Sequence, residues 1–177
     1  NISKDAIKIS TTGMLSRELN ELNLINKSTK NTFMCVGGMG HAISIASGVA
    51  LSKPSKKIFC LDGDGSFLMH LGASTTSAKL KNVIHIVFNN KSHDSVGGQD
   101  TSAPNLSLKD IAIKLGYDIC KIAKSEKQIK KILKNQIKNK KNLFLEISCS
   151  RGNRKNLTRP GKSLKIYKQE FLKFISK

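Results

Sequence analysis

The chain has 177 residues, enough for one domain (1–177) with a sizeable core, and its 31 basic and 12 acidic residues give a formal net charge of +19. The basic residues are mostly lysines spread along the chain, aromatic residues are only 5%, and no nucleic-acid-binding signature is present, so we predict no nucleic-acid partner. No run approaches the roughly 20 apolar residues of a membrane span and no secretory signal pattern opens the chain, so we expect a cytoplasmic protein with no membrane partner.

Short apolar runs alternate with helical patterns along the chain. The predicted strands are 6–10, 33–36, 57–61, 83–88, 117–122 and 143–147. The predicted helices are one from Met14 with a threonine cap, one over 42–51, one from Phe67 to about Leu80, and others over 108–115, 125–138 and 164–175. Most strands are apolar throughout, which is typical of a parallel sheet covered on both faces. We therefore predict an α/β three-layer sandwich with a six-stranded parallel sheet.

Four polar or glycine-rich segments follow predicted strands, at 10–13, 37–41, 62–66 and 89–101. Parallel sheets bind ligands at the carboxyl ends of their strands. The last segment has no apolar period, and long polar loops are usually functional or disordered. The cysteines form no Cys-x-x-Cys pair and lie in or beside apolar runs, so we expect four buried, reduced thiols: Cys35, Cys60, Cys120 and Cys149.

The sequence Gly63-Asp64-Gly65-Ser66 ends one predicted strand and precedes a helix. Glycines permit close backbone approach, and a helix N-terminus offers free N–H groups to an anion. Asp64 would repel a bare phosphate, so its presence predicts a cation between them. Carboxylate, carboxamide and main-chain carbonyl oxygens suit Mg²⁺, and Asn90 after the next strand can supply the amide. Two ordinary turns would explain each half alone, but not the pair.

Gly-Asp-Gly, then a helix and a strand, then Asn-Asn, resembles the cofactor motif of thiamine diphosphate enzymes. The separation, residues 66 to 88, is slightly short, which we attribute to a trimmed connection at 79–82. Beyond this motif the chain resembles the diphosphate-binding, C-terminal (PP) domain of phosphonopyruvate decarboxylase. The matching segments are 9–13, 37–42, 61–66, 69–70 and 93–99. In the related sulfopyruvate decarboxylase, the last segment differs just after the asparagine.

The resemblance implies which residues hold the cofactors, Mg²⁺ and thiamine diphosphate. The metal ligands would be Asp64, the side-chain oxygen of Asn90 and the main-chain carbonyl of Ser92, while Gly65 and Ser66 would hold the diphosphate. The whole set of expected cofactor-binding residues is Gly37, Gly38, Met39, His41, Gly63, Asp64, Gly65, Ser66, Asn90 and Ser92.

The 37–41 loop would bind the aminopyrimidine. Gly37 and Met39 would hydrogen-bond it through their backbones, and the Met39 side chain would wedge the cofactor into its bent form. Without the motif, Met39 reads equally well as a core methionine and His41 as a structural histidine.

Two further groups have open roles. His93 and Asp94 follow the metal loop and are candidate catalytic residues, since an imidazole there can donate to a substrate carboxylate or move a proton. The alternative is a hydrogen bond between them that stabilises the loop. Arg151, Arg154 and Arg159 either bind a phosphonate in bidentate fashion or are solvated residues of the basic tail.

Half of the expected active site is absent from this sequence. In the family, the glutamate that activates the cofactor lies on a separate pyrimidine-binding domain of a neighbouring subunit. No such motif surrounds any glutamate here: Glu18, Glu21, Glu126, Glu146 and Glu170. We therefore expect an oligomer in which a partner domain or subunit supplies that residue.

The resemblance implies an enzyme that decarboxylates a small anionic 2-oxo acid. Its expected reaction is Mg²⁺- and thiamine-diphosphate-dependent conversion of 3-phosphonopyruvate to phosphonoacetaldehyde and CO₂, with this chain as the diphosphate-binding half. The β-type subunit of sulfopyruvate decarboxylase is the alternative. A non-catalytic basic binding module is a further alternative.

Overall fold

The computed structural model describes residues 2–3, 6–137 and 139–176. Its strands are β1 Ile7–Ser10, β2 Thr32–Met34, β3 Ile58–Gly63, β4 Val83–Asn89, β5 Ile119–Ala123 and β6 Leu143–Ser148. Its helices are α1 Met14–Ile25, α2 Ala42–Ser52, α3 Asp64–Met69, α4 Ala73–Ser77, α5 Leu108–Lys114, α6 Glu126–Ile137 and α7 Leu164–Ile175, with a 3₁₀ turn at Thr29–Asn31.

The strands form one sheet in the order β2-β1-β3-β4-β6-β5, and every pairing between neighbouring strands is parallel. Side chains of α1 and α6, such as Leu15 and Leu133, pack on one face of the sheet. Side chains of the other helices, such as Ile43, Phe67 and Phe171, pack on the opposite face. The predicted three-layer sandwich with a six-stranded parallel sheet is therefore confirmed.

The helix predicted from Phe67 to about Leu80 is two short helices. α3 ends at Met69, and His70 leaves helical geometry with φ −127° and ψ 50°. The second piece, α4, is rich in Ser and Thr, whose hydroxyls bond the backbone and weaken helix propensity. Thr75 donates to the Gly72 carbonyl at 2.8 Å, for example. The helix predicted as continuous is therefore interrupted at His70, and its second part, α4, is only five residues long.

The predicted threonine cap of α1 is wrong. Gly13 occupies the cap position, and no side chain caps the helix there. Thr11 instead bonds Ser66 across the ends of two strands, 2.8 Å between their hydroxyl oxygens. At the other end of the molecule, α6 reaches Ile137. The last residue of its predicted span, Lys138, lies outside the described residues.

The four cysteines are free thiols, but they are not all buried. Cys35 and Cys60 are buried, Cys120 is half-buried, and Cys149 is exposed just after β6. Cys149 follows the last residue of the sheet, where the chain turns away from the core, so the expectation of a buried thiol there is wrong. In the described part of the chain, no helix is both long and apolar enough to cross a lipid bilayer.

Candidate functional site

A cleft opens at the carboxyl ends of β1, β3, β4 and β6. Residues from the segments that follow these strands line it, together with Met39 from the loop after β2. Its volume is about 220 Å³, below the roughly 300–1,000 Å³ of sites that enclose a drug-sized ligand. The cleft therefore accommodates part of such a ligand and leaves the rest for another surface to cover.

Asp64 lies at the base of this cleft, as the first residue of α3, and is only 2% exposed. The Thr101 hydroxyl donates to Asp64 Oδ2 at 2.5 Å. Thr101 is in turn tied down, because its backbone N–H donates to the Lys91 carbonyl and its hydroxyl accepts from the Ala103 N–H at 3.2 Å. The bond to Thr101 therefore fixes the Asp64 carboxylate where it lines the cleft, and a carboxylate has further acceptor capacity for a second partner.

Asn90 follows β4, the strand that pairs directly with β3, so it lies beside Asp64 at the same edge of the sheet. Its Oδ1 accepts from the Ser92 N–H at 3.1 Å, and its Nδ2 donates to Asp94 Oδ2 at 2.6 Å. Lys91 between them has a positive φ of 59°. This uncommon conformation for a non-glycine residue turns the chain so that Ser92 faces back to Asn90.

The loop over 91–101 is ordered by its own hydrogen bonds. Ser92 and Asp100 form an antiparallel bridge, and the His93 N–H donates to the Gln99 carbonyl at 2.8 Å. The loop packs over α3, and this packing explains why residue 65 is a glycine. A Cβ at Gly65 would lie 2.5 Å from His93 Cε1 and 3.1 Å from Thr101 Cγ2. Only glycine lets the loop approach the first turn of α3 this closely.

Ser66 connects three segments at the cleft. Its Oγ lies 2.8 Å from Thr11 Oγ1 after β1, and it accepts from the Gly40 N–H at 3.0 Å. Gly40 has φ +83°, and a Cβ there would collide with His70. These contacts bring Met39 to the cleft wall.

Most of the predicted site residues lie in this cleft, but of those predicted in the 37–41 loop only Met39 does. Met39, 63–66, Asn90 and 92–94 contribute to the lining. Gly37, Gly38 and His41 do not contribute to it. His41 is exposed and packs on His70 with ring centroids 4.3 Å apart.

Asp94 organises the loop through partners other than His93. Its carboxylate accepts from Asn90 Nδ2, from the Ser92 hydroxyl at 2.7 Å, and from the Gly152 N–H at 2.9 Å. The last contact ties the loop to the segment after β6. Asp94 therefore connects both candidate metal ligands of this loop to the C-terminal tail.

Two of the three tail arginines, Arg151 and Arg154, are engaged by carboxylates. Arg151 pairs with Asp100 at 2.5 Å and donates to the Lys91 carbonyl, while Arg154 pairs with Glu21 at 2.5 Å. The hydrogen bond from Arg154 holds the pKa of Glu21 below its ordinary value. These pairs hold the tail against the 91–101 loop and α1. The side chains lining the cleft include His93 but no lysine or arginine within the described residues.

The sequence reasoning missed several residues of the site. Thr101 lies at the end of a loop without a recognisable pattern, and no local signal marks its contact with Asp64. Cys149 is exposed on one side and lies against the cleft wall on the other, where this partial burial first, and then the charges of Asp64 and Glu18, raise the pKa of its thiol. Thr11 was within a segment of the resemblance, but the threonines of this segment, Thr11 and Thr12, were considered only as candidates to cap α1.

The comparisons with known proteins agree with this geometry. The family model described as "Thiamine pyrophosphate enzyme, C-terminal TPP binding domain" matches residues 11–147. Phosphonopyruvate decarboxylase of Streptomyces viridochromogenes is 41% identical over 118 residues, 66% of this chain and 28% of that protein. Sulfopyruvate decarboxylase subunit beta of Methanocaldococcus jannaschii is 33% identical over 144 residues, 80% of this chain and 73% of that subunit.

The fold has solved neighbours as well. Benzoylformate decarboxylase from Polynucleobacter necessarius superposes with a TM-score of 0.69 at 16% identity, over 86% of this chain and 32% of that one. The chain thus spans less than a third of the phosphonopyruvate decarboxylase and of this neighbour, but most of the sulfopyruvate decarboxylase subunit. The resemblance read from the motifs is confirmed, and the chain belongs to the family of C-terminal thiamine pyrophosphate-binding domains of thiamine pyrophosphate enzymes.

Proposed function

We propose that this chain is the diphosphate-binding half of a Mg²⁺- and thiamine-diphosphate-dependent decarboxylase that converts 3-phosphonopyruvate to phosphonoacetaldehyde and CO₂. The observation that carries the proposal is the pairing of Asp64 and Asn90 at the ends of adjacent parallel strands, beside the first turn of α3. This is a hard-oxygen donor set next to backbone N–H groups, which suits a magnesium diphosphate.

The residues at the carboxyl ends of β3 and β4 have the chemistry that a magnesium diphosphate requires. Asp64 offers the carboxylate oxygen that Thr101 leaves available, and Asn90 offers its amide oxygen. The main-chain carbonyl of Ser92 is the third ligand in our assignment. Gly65 presents backbone to the cleft where a side chain would collide with the 91–101 loop, so a phosphate oxygen can approach closely.

The chemistry that thiamine diphosphate supplies when bound is a nucleophilic carbon and a cationic ring that accepts the electrons left by the departing CO₂. The residues of this chain orient and shield the reaction. Met39 and Phe88 provide apolar walls to the cleft. We assign to His93, which lines the cleft, the donation of a hydrogen bond to the anionic substrate or the movement of a proton.

We choose a phosphonate substrate on two grounds, the identity of the chain to phosphonopyruvate decarboxylases and the sequence of the 93–99 loop. Two phosphonopyruvate decarboxylases are 41% and 40% identical to the chain, against 33% for the sulfopyruvate decarboxylase subunit of Methanocaldococcus jannaschii. The 93–99 loop resembles the former family. Sulfopyruvate is the second candidate substrate, because the chain is also 33% identical to two sulfopyruvate decarboxylase beta subunits.

We also propose that a pyrimidine-binding domain or subunit completes the site within an oligomer. Glu18 is the glutamate in the cleft lining, and it lies 3.8 Å from Arg154. Glu146 is buried and bonds Asn89 and the Lys109 N–H, on the face of the sheet away from α1. Neither matches the motif of the activating glutamate, which we therefore assign to the partner.

Calorimetric titration tests the metal and cofactor assignment. Thiamine diphosphate and Mg²⁺ should bind the assembled enzyme together, each tightening the other. Asp64→Ala should abolish the effect of Mg²⁺ on cofactor affinity, because it removes the charged metal ligand. If Asp64→Ala retains full Mg²⁺-dependent affinity, the site is wrongly assigned.

An activity assay tests the partner assignment. The 177-residue chain alone should release almost no CO₂ from phosphonopyruvate, and addition of the pyrimidine-binding half should restore turnover. Rapid decarboxylation by the chain alone would contradict this proposal. In that case Glu18→Gln would identify whether the glutamate of the cleft takes over the activating role.

A further inference from the structure

A series of buried polar side chains lies beneath the Gly-Asp-Gly turn, on the opposite face of the sheet from α1. Asp62 of β3 and His85 of β4 are both 0% exposed. His85 Nε2 lies 3.4 Å from Asp62 Oδ2, and His85 Nδ1 lies 2.9 Å from Tyr117 Oη. Tyr117 Oη lies 2.5 Å from Ser77 Oγ. Together these four side chains connect β3 and β4 to α4 and to the start of β5.

Asp62 is the member of this network that touches the turn. Its Oδ1 accepts from the Gly63 N–H at 3.0 Å, while its Oδ2 faces His85. A carboxylate can only accept, so His85 Nε2–H is the donor. The two oxygens of Asp62 thus join the backbone immediately before Asp64 to the side chain of the neighbouring strand. Displacement of the Asp62 side chain would therefore shift the backbone at Gly63, and with it the position of Asp64.

The network gives protons no path to the solvent, and stability alone does not explain why polar groups are buried here. Ser77 donates to the Ser74 carbonyl, and both serines are buried, so the chain of hydrogen bonds ends inside the protein. Burial of a carboxylate and an imidazole is costly, and well-packed apolar residues of the same volume are often as stable or more so. A buried polar pair at this position is better explained by the geometry that it imposes.

We propose that Asp62 and His85 are positioning residues for the metal ligand Asp64. They hold the Gly63–Asp64 backbone in the orientation from which the Asp64 carboxylate reaches a cation, while Thr101 holds the carboxylate itself. This inference rests on the proposed function, in which Asp64 binds Mg²⁺. It predicts that loss of the pair weakens metal binding from a position that touches neither metal nor substrate.

The test measures the Kd for Mg²⁺ by calorimetry on the assembled enzyme with saturating thiamine diphosphate. Asp62→Ala should raise this Kd at least tenfold. Asp62→Asn should stay within about threefold of the wild type, because its amide oxygen still accepts from the Gly63 N–H. Its amide nitrogen can donate to His85 Nε2 once the imidazole carries its proton on Nδ1, which then donates to Tyr117 Oη. A thermal melt of each metal-free variant shows how much of the fold is retained.

Tyr117→Phe is the matched control, since it removes two hydrogen bonds of the same buried network but leaves the contact between Asp62 and His85. It should lower the melting temperature and leave the Kd for Mg²⁺ within twofold. Equal losses of Mg²⁺ affinity in Tyr117→Phe and Asp62→Ala would overturn the positioning role, since the effect would then follow stability alone. If Asp62→Ala does not fold, His85→Leu replaces it in the test. Its Kd for Mg²⁺ should also rise at least tenfold, and a loss of affinity equal to that of Tyr117→Phe would overturn the positioning role.

Asp64→Ala separates this inference from the proposed function. If Asp64→Ala binds Mg²⁺ like the wild type, the metal assignment fails, and the positioning role fails with it. If Asp64→Ala loses Mg²⁺ binding but Asp62→Ala and His85→Leu keep it, only the positioning role is wrong.

Discussion

Thr101 donates its hydroxyl proton to Asp64 Oδ2 across 2.5 Å, between residues that lie 37 positions apart in the chain. The bond is buried, and Thr101 is itself held by the start of the same loop. A hydrogen bond to a carboxylate is stronger than one between neutral groups, because the acceptor is charged. The hydrogen bond that attaches the end of the 91–101 loop to α3 therefore also orients the candidate metal ligand Asp64.

Thr101→Val should weaken Mg²⁺ binding while the fold is retained. The substitution preserves shape but leaves Asp64 Oδ2 without its donor, and an unmade bond of a buried polar group costs about 1–3 kcal/mol. We expect the Kd for Mg²⁺ to rise about tenfold, as 1.4 kcal/mol corresponds to one factor of ten. Calorimetry with saturating thiamine diphosphate measures it. Thr101→Ser, which keeps the hydroxyl, is the control; an equal loss in both variants would argue against the hydrogen bond.

Asp94→Ala should release both the metal loop and the tail. Asp94 accepts from Asn90, Ser92 and Gly152, so its removal frees three donors at once. We expect the Mg²⁺ concentration needed for half-maximal activity to rise by tenfold or more, with most of kcat recovered at saturating Mg²⁺. Hydrogen exchange at 150–154 should accelerate as well.

Asp100→Ala is the control for this prediction, since Asp100 contributes an exposed pair with Arg151, and such pairs are worth about 0–1 kcal/mol. It should leave the Mg²⁺ requirement unchanged and accelerate hydrogen exchange at 150–154 far less than Asp94→Ala does. A kcat that stays low in Asp94→Ala at saturating Mg²⁺ would instead assign Asp94 to the chemical step.

His93 should select the substrate. Among the described residues that line the cleft it is the side chain that can become cationic, and a phosphonate carries more negative charge near neutral pH than a sulfonate. We expect kcat/KM of the assembled enzyme to follow the order phosphonopyruvate, sulfopyruvate, pyruvate. His93→Ala should lower kcat/KM for phosphonopyruvate more than for pyruvate. Equal losses on both acids would indicate a general catalytic or structural role, and a preference for sulfopyruvate would move the chain to the sister activity.

Cys149 should report on occupation of the cleft. Burial and nearby carboxylates raise the pKa of its thiol, so less of the reactive thiolate is present at any given pH. Alkylation by iodoacetamide in the metal-free protein should be slow at neutral pH and accelerate as the pH rises past the ordinary thiol range. Thiamine diphosphate with Mg²⁺ should slow it further, because the cofactor would cover the cleft wall.

Cys120 on β5 provides the comparison for this experiment. Burial raises the pKa of its thiol to about 11, and it lies outside the cleft lining. Peptide mapping should show that the cofactor protects Cys149 and leaves Cys120 unchanged. Equal protection of both thiols would mean that the cofactor tightens the whole fold, and equal reactivity with and without cofactor would argue against binding in this cleft.

The sequence by itself determined the layered fold and the approximate position of the site. Alternating apolar runs and helical patterns specify parallel strands, and parallel strands bring their carboxyl ends to one edge. Asp64 and Asn90, each just after an apolar run, therefore had to lie close together. The motif also marked Gly65, but the reason for a glycine there is tertiary, since a Cβ would collide with the 91–101 loop.

Only the tertiary structure decided which side chains complete the site. Contacts between residues distant in the chain, such as Thr11 with Ser66 over 55 positions, depend on how loops and strands pack against one another. The same packing directs Arg151 to Asp100 and encloses His85 with Asp62. No local pattern encodes these pairings. They arise because buried polar groups must find partners among whatever the fold brings within reach.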